Sequence, residues 1–200
     1  MELKHNIWVY IELVDGAPSH LSLELLGKGR ELADAKKNTL VALLAGTGAG
    51  DAAKQVIGYG ADAAVVLDNA ELAEFDAAVY TKAVAATLAK YEASVMLIPA
   101  SHNGRDVGGR LSAAMNLGLV ADCIDCRYEG DDDTLTWIRP AFTGKLFVKI
   151  LTTSRPQLAT IDEAIFRGND FDASRTGDVV TETVDFNAPV STQKRVDFKP

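Results

Sequence analysis

Apolar and polar positions alternate in blocks along the first half of the chain. Residues 7–13 (IWVYIEL) make a β-branched and aromatic run suited to a buried strand. Asp15-Gly-Ala-Pro18 is a turn, after which Ser19 or Ser22 is placed to cap a helix. In that helix Leu21, Leu25, Leu26, Leu32 and Ala33 fall near a 3.6-residue period. Residues 39–45 (TLVALLA) predict a second strand, the Gly46–Asp51 break opens a short helix to about Tyr59, and 63–67 (AAVVL) predict a third strand. A long Ala-rich helix is predicted over 75–90, with Val79, Ala83, Ala86 and Leu88 as core candidates. A strand at 94–99 and a helix from Val107 to about Leu117 follow. Strands alternating with helices predict a doubly wound α/β fold: a mostly parallel sheet in a Rossmann-like three-layer arrangement.

After Gly118 the rhythm changes. Residues 120–129, 134–139, 145–152 and 157–161 are short strand-like runs with no room for helices between them, so antiparallel hairpins are expected. From Asp162 the chain turns polar, and 181–186 and 195–198 are candidate edge strands. No internal repeat of solenoid type is present.

Composition narrows the function classes. The chain has 200 residues, 48% hydrophobic and 24% charged, which is enough for one sizeable core. Its net charge of −8 argues against non-specific nucleic-acid binding. No apolar stretch reaches the roughly 18 residues of a membrane span, and the N-terminus lacks the pattern of a secretory signal, so a soluble cytoplasmic protein is expected. Cys123 and Cys126 form a CxxC, but a zinc site needs about four ligands and no second pair exists. The pair lies in a strand-like run rather than at the helix start that would activate a thiolate, so ordinary reduced cysteines are expected.

Three segments carry candidate chemistry. Gly46-Thr-Gly-Ala-Gly-Asp51 follows a strand and precedes a helix, the context of a phosphate cradle. Its spacing matches neither dinucleotide nor P-loop patterns, and Asp51 reads better as an N-cap. Ser101-His-Asn-Gly-Arg-Asp106 lies at the carboxyl end of a strand, where α/β folds bind ligands. As a ligand site, Gly104 permits close approach, Arg105 and Arg110 hold an anion, and Asp106 caps the helix. Alternatively, Asp106 is a cap and Arg105 a structural ion pair. A Ser101/His102/Asp106 hydrolase triad fails, because such partners come from separate elements rather than one short loop. The third segment, 137–146, sets Phe142 between Arg139 and Lys145 around a turn, a composition suited to a protein interface.

Three blocks resemble one family. They are IWVYIELVDGAPSHLSLELLGKGRELA, then PASHNGRDVGGRLSAAMNLGLVADC with its Gly-Arg-Asp and G-L-x-x-D-C exit, then IRPAFTGKLFVKI (R-P-x-x-x-G-x) followed by SRPQLATI. In that order they are similar to the N-terminal domain of the electron-transfer flavoprotein alpha subunit, the FixB-like family, over about residues 5–162. The resemblance implies an adenine-nucleotide-hydrolase-like fold for 1–162. It implies an arm or linker over 163–200, leading to a C-terminal FAD domain that is absent because the sequence stops at Pro200. It also implies a scaffold without catalytic residues of its own. A beta subunit holding AMP or a second flavin would be its partner, and electrons would pass between a dehydrogenase and a redox acceptor. FAD would belong to the complete heterodimer and not to these 200 residues alone. The ligand-site candidates are then Gly104, Arg105, Asp106 and Arg110. The partner-facing candidates are His102, Asn103, Arg139, Phe142, Gly144 and Lys145. An isolated domain would expose that face and could pair as a homodimer. One departure is Asp162-Glu163-Ala164, where the family commonly has Arg-Pro-Gly. The alternative reading is a stand-alone adenine-nucleotide-binding module.

Overall fold

The alternation read from the sequence is realised as a parallel sheet in a computed structural model that describes residues 3–186. The chain runs through β1 (Ile7–Ile11), the short strands β2 (Leu13–Val14) and β3 (Ala17–Pro18), α1 (His20–Lys36), β4 (Leu40–Ala45), α2 (Ala49–Gly58) and β5 (Ala63–Leu67). It continues through α3 (Ala77–Tyr91), β6 (Val95–Pro99), α4 (His102–Met115), β7 (Leu119–Cys123) and β8 (Asp125–Tyr128). The last elements are β9 (Leu135–Ala141), β10 (Leu146–Ile150), β11 (Gln157–Ile161) and β12 (Asp178–Thr181). Seven strands pair in the order β12-β5-β4-β1-β6-β11-β7, all parallel. β10-β9-β8 form a separate antiparallel sheet.

Every residue of β1, β4, β5, β6 and β11 is buried, as expected of parallel strands covered on both faces. Alternate residues of β1 feed two cores. Ile7, Val9 and Ile11 join Leu25, Leu26 and Val56 from α1 and α2. Trp8 and Tyr10 join Val84, Leu88, Val107 and Leu111 from α3 and α4. The chain turns back between β1 and β6, so the topological switch point lies at their carboxyl ends.

Several local expectations are corrected. The run 157–161 is no hairpin strand: β11 lies inside the parallel sheet between β6 and β7. The run 120–129 divides at Ile124, giving β7 to the large sheet and β8 to the small one. The crossover from β7 to β11 thus uses the three-stranded sheet where a helix would ordinarily stand. Its Cys126, Leu135 and Trp137 enter the same core as α1, so it covers the sheet as a helix would. α4 begins at His102 rather than Val107, with Ser101 as its cap, which leaves Asp106 inside the helix and not capping it. α2 is capped by Gly48 (φ 75°), and Asp51 sits in its first turn, where the dipole favours an acid. Ala86 faces solvent, while Val84 takes the core position. The edge strand expected at 181–186 lies at Asp178–Thr181, and 195–198 lies outside the described residues.

Beyond β11 the chain crosses the α1/α2 face to the opposite sheet edge and caps the end of α2 on the way. Asn169 Nδ2 donates to the Tyr59 carbonyl (2.7 Å), Asp172 N to Gly58 (3.0 Å) and Arg175 Nε to Ile57 (3.2 Å). These bonds satisfy carbonyls that a helix C-terminus leaves unpaired. Asp62 anchors the crossing, receiving Arg30 Nη1 at 2.6 Å, Arg175 Nη2 at 3.2 Å and Leu40 N at 2.9 Å.

After β12, Glu182 latches the chain to the end of α3. Both its oxygens receive Lys90 Nζ (2.8 and 2.7 Å), and Tyr91 donates its hydroxyl to the same carboxylate. Burial pushes the Glu182 carboxyl upward, but these hydrogen bonds outweigh it and hold the group below its usual 4.5. The latch therefore contributes fully above about pH 4.5 and is lost as pH falls through the lower folded value. Glu182→Gln is expected to cost about 1 kcal/mol at pH 7, since Lys90 is largely exposed. Melting curves should show that difference shrinking as pH is lowered past 4.5.

Candidate functional site

At the switch point the end of β1 is tied to two helix starts. Glu12 Oε1 accepts from Ser101 Oγ (2.9 Å), and Glu12 N donates to Ser22 Oγ (2.9 Å). Beside this joint a cleft of about 280 Å³ is lined by Tyr10, Glu12, Asp15, Thr47, Phe75 and Asn103 among others, with no lysine or arginine. In the Gly46–Gly48 loop, Gly48 N already donates to Asp68 Oδ1 (3.1 Å). A carboxylate of the chain itself thus stands where a phosphate would, and Asp51 adds a second negative charge to the same helix start. Dinucleotide-sized ligands need larger, phosphate-accepting clefts, so the residues here do not fit FAD.

The first turns of α4 are built for close packing. Ser101 Oγ accepts from Gly104 N at 2.9 Å, and a Cβ on Gly104 would overlap the Pro99 carbonyl oxygen. One turn on, a Cβ at Gly108 would press on the Thr160 methyl at 3.0 Å. Arg105 Nε binds Asp122 Oδ1 (2.9 Å), with Asp162 Oδ1 4.0 Å from its Nη2. This is the structural ion pair rather than a free anion site. Asp122 is held at φ 54°, its N–H donating to the buried Thr160 hydroxyl (2.9 Å). His102, Asp106 and Arg110 are exposed and make no ion pair among the described residues, while Asn103 turns toward the cleft.

The small sheet is clamped to the body at its base. Lys28, only 5% exposed, holds Glu31 (2.9 Å) and Asp125 (3.3 Å), and Trp137 is fully buried. The fully buried Gln157 accepts from Leu135 N (2.7 Å) and donates to the Asp133 carbonyl (2.7 Å). Toward the tip the sheet leaves the body. Phe142, Thr143 and Gly144 have φ of 50°, 55° and 81°, a left-handed path that non-glycine residues adopt at a cost. Phe142 is 76% exposed, and Leu146 and Phe147 in β10 and Leu151 just past its end are exposed as well. The first two belong to the hairpin singled out in the sequence. The run KLFVKIL, apolar on both faces of an edge strand, carried the signal for the rest.

The CxxC pair is buried. Cys123 and Cys126 are free thiols, both in the core. Burial pushes the Cys123 thiol up to about 12 and that of Cys126 higher still. Among the described residues no group of three or more His, Cys, Asp or Glu side chains could hold a metal, and no helix is long and apolar enough to cross a membrane.

Comparison with known proteins places this geometry in context. The model of the electron transfer flavoprotein domain matches residues 7–187. Electron transfer flavoprotein subunit alpha of Clostridium acetobutylicum is 35% identical over 162 residues, covering 80% of this chain and 48% of that protein. Protein FixB of Rhizobium meliloti is 33% identical over 165 residues, with 80% and 46% covered. Lactate dehydrogenase (NAD(+),ferredoxin) subunit LctC of Acetobacterium woodii is 33% identical over 178 residues, with 88% and 42% covered. The chain spans about half the length of the curated relatives it matches.

Proposed function

Because the chain belongs to the electron transfer flavoprotein family, we propose that it is the scaffold half of an alpha-type subunit in an electron-transferring heterodimer. Its partner is a beta-type subunit, and electrons pass through the assembled complex from a dehydrogenase to an acceptor in the cytoplasm. The domain itself performs no chemistry. The flavin is held by the beta subunit and by the part of an alpha subunit that the longer relatives have beyond this region. Residues 1–162 form the docking scaffold, and the arm that follows, whose described residues 163–186 cross its α1/α2 face, leads on toward the flavin-carrying part.

The observation that carries this reading is the hairpin tip, with Phe142 exposed on a left-handed turn above a rigidly clamped base. Gly144 lets the turn close, and Lys145 adds a cation at its rim. The exposed His102 and Arg110, with neighbouring Asn103 and Asp106, extend the docking face along α4. Gly104 and Arg105 serve the scaffold. Phe142→Asp is expected to leave the melting temperature within about 2 °C of wild type, as for any surface change of about 0.5 kcal/mol. The same change should weaken the complex with a beta-type subunit by at least roughly tenfold, the effect of losing an exposed aromatic anchor. Titration calorimetry measures it, and unchanged affinity would remove the hairpin from the interface.

A further inference from the structure

We propose that Arg139 is the charged anchor of the docking hairpin, receiving a carboxylate of the beta-type subunit into the apolar trough under β9 and β10. The inference rests on the heterodimer reading above. Trp137, Arg139 and Ala141 alternate onto one face of β9, with Ile150, Val148 and Leu146 as their cross-strand partners. That face begins in the core, where Trp137 is fully buried, and runs out beyond the body of the domain. Its outer part is a trough lined by Arg139, Ala141, Val148 and Ile150 and by the backbone of the turn at 142–144.

Three arginines are half-buried among the described residues. Arg30 and Arg175 both hold Asp62, but the Arg139 side chain has neither an ion pair nor a hydrogen bond among the described residues. Its described neighbours supply no counter-charge. Asp122 is turned to Arg105, and burial keeps the adjacent Cys123 thiol protonated. Lys145 at the rim is likewise without an ionic partner among the described residues. A chain of net charge −8 thus presents, among its described residues, one half-buried cation without a partner in an apolar groove and a second, Lys145, next to the groove residue Gly144. That combination selects an extended segment bearing a carboxylate beside apolar side chains. A planar guanidinium fork takes a carboxylate through two parallel bonds, and the surrounding apolar surface excludes the water that weakens rim pairs.

The test is calorimetric titration of this chain with a beta-type subunit, using wild type, Arg139→Gln and Arg139→Lys, with thermal melts of each variant alone. Arg139→Gln is expected to weaken binding at least about thirtyfold, corresponding to loss of one desolvated charge pair. Arg139→Lys, which keeps the charge but not the fork, should fall between the two, and both variants should melt like wild type. Exchanging the charges, by Arg139→Glu against an interface acid of the beta subunit changed to lysine, should recover affinity. A wild-type complex that tolerates both substitutions within about twofold overturns the role of Arg139 alone. No wild-type complex at all overturns the heterodimer reading and this inference with it.

Discussion

Gly104→Ala is expected to destabilise the protein by about 3 kcal/mol, near the upper end for forcing an atom into a packed site. In a chain of this size that lowers the melting temperature by roughly 6–12 °C. The cause is local. α4 starts hard against the end of β6, and the new methyl would overlap the Pro99 carbonyl oxygen, a backbone atom with no freedom to swing aside. Moving α4 outward would also pull Ser101 from Glu12 and Arg105 from Asp122. Gly109 in the same helix provides the control, because a Cβ there meets nothing within 4 Å. Gly109→Ala should stabilise by about 0.5–1 kcal/mol through helix propensity alone. Paired thermal melts would show opposite signs; two shifts of the same sign would refute the packing role given to Gly104.

Gln157→Leu is the second large effect. The side chain is fully buried and bridges β11 to the start of β9 through both halves of its amide. Leucine has nearly the right volume but leaves the Leu135 N–H and the Asp133 carbonyl without partners. Each unsatisfied group costs about 1–3 kcal/mol, less for the one nearer solvent, so a loss of roughly 2–4 kcal/mol is expected. The damage should be regional. Amide exchange is expected to speed up over residues 125–150, while β1, β4 and β5 keep their protection. Affinity for a beta-type subunit should fall with it, since the tip is only as well placed as its base. Uniform acceleration across the chain would mean that Gln157 supports the whole fold rather than the hairpin sheet.

The first eight alternating elements were legible because each strand is a short apolar run and each helix repeats at 3.6 residues. Leu25 and Leu26, or Ile7, Val9 and Ile11, announce their core by spacing alone. The start of α4 was hidden because Gly104, Gly108 and Gly109 look like helix breakers. Two of them are there because the helix must touch β6 and β11, which only the tertiary arrangement reveals. β11 was misplaced because a parallel strand ordinarily follows a helix, whereas here the crossover is a three-stranded sheet. β12 was blurred because its residues are largely exposed and its pairing with β5 depends on an arm anchored at Asp62. At the candidate site, an aromatic between two cations was enough to single out the hairpin turn. That Arg105 has an ionic partner and Arg139 has none among the described residues could not be read, because ion pairing is set by residues distant in sequence. The Gly46–Asp51 loop shows the converse, since its local pattern suggested a cradle that Asp68, seventeen residues past Asp51, already fills.

The most direct test of the scaffold account is size-exclusion chromatography of this chain, alone and mixed with a beta-type subunit, monitored by flavin absorbance. The chain alone should elute without flavin absorbance, and the mixture should give a one-to-one complex carrying it. A folded chain that elutes apart from the beta subunit, or one that carries a flavin peak by itself, would contradict the scaffold account.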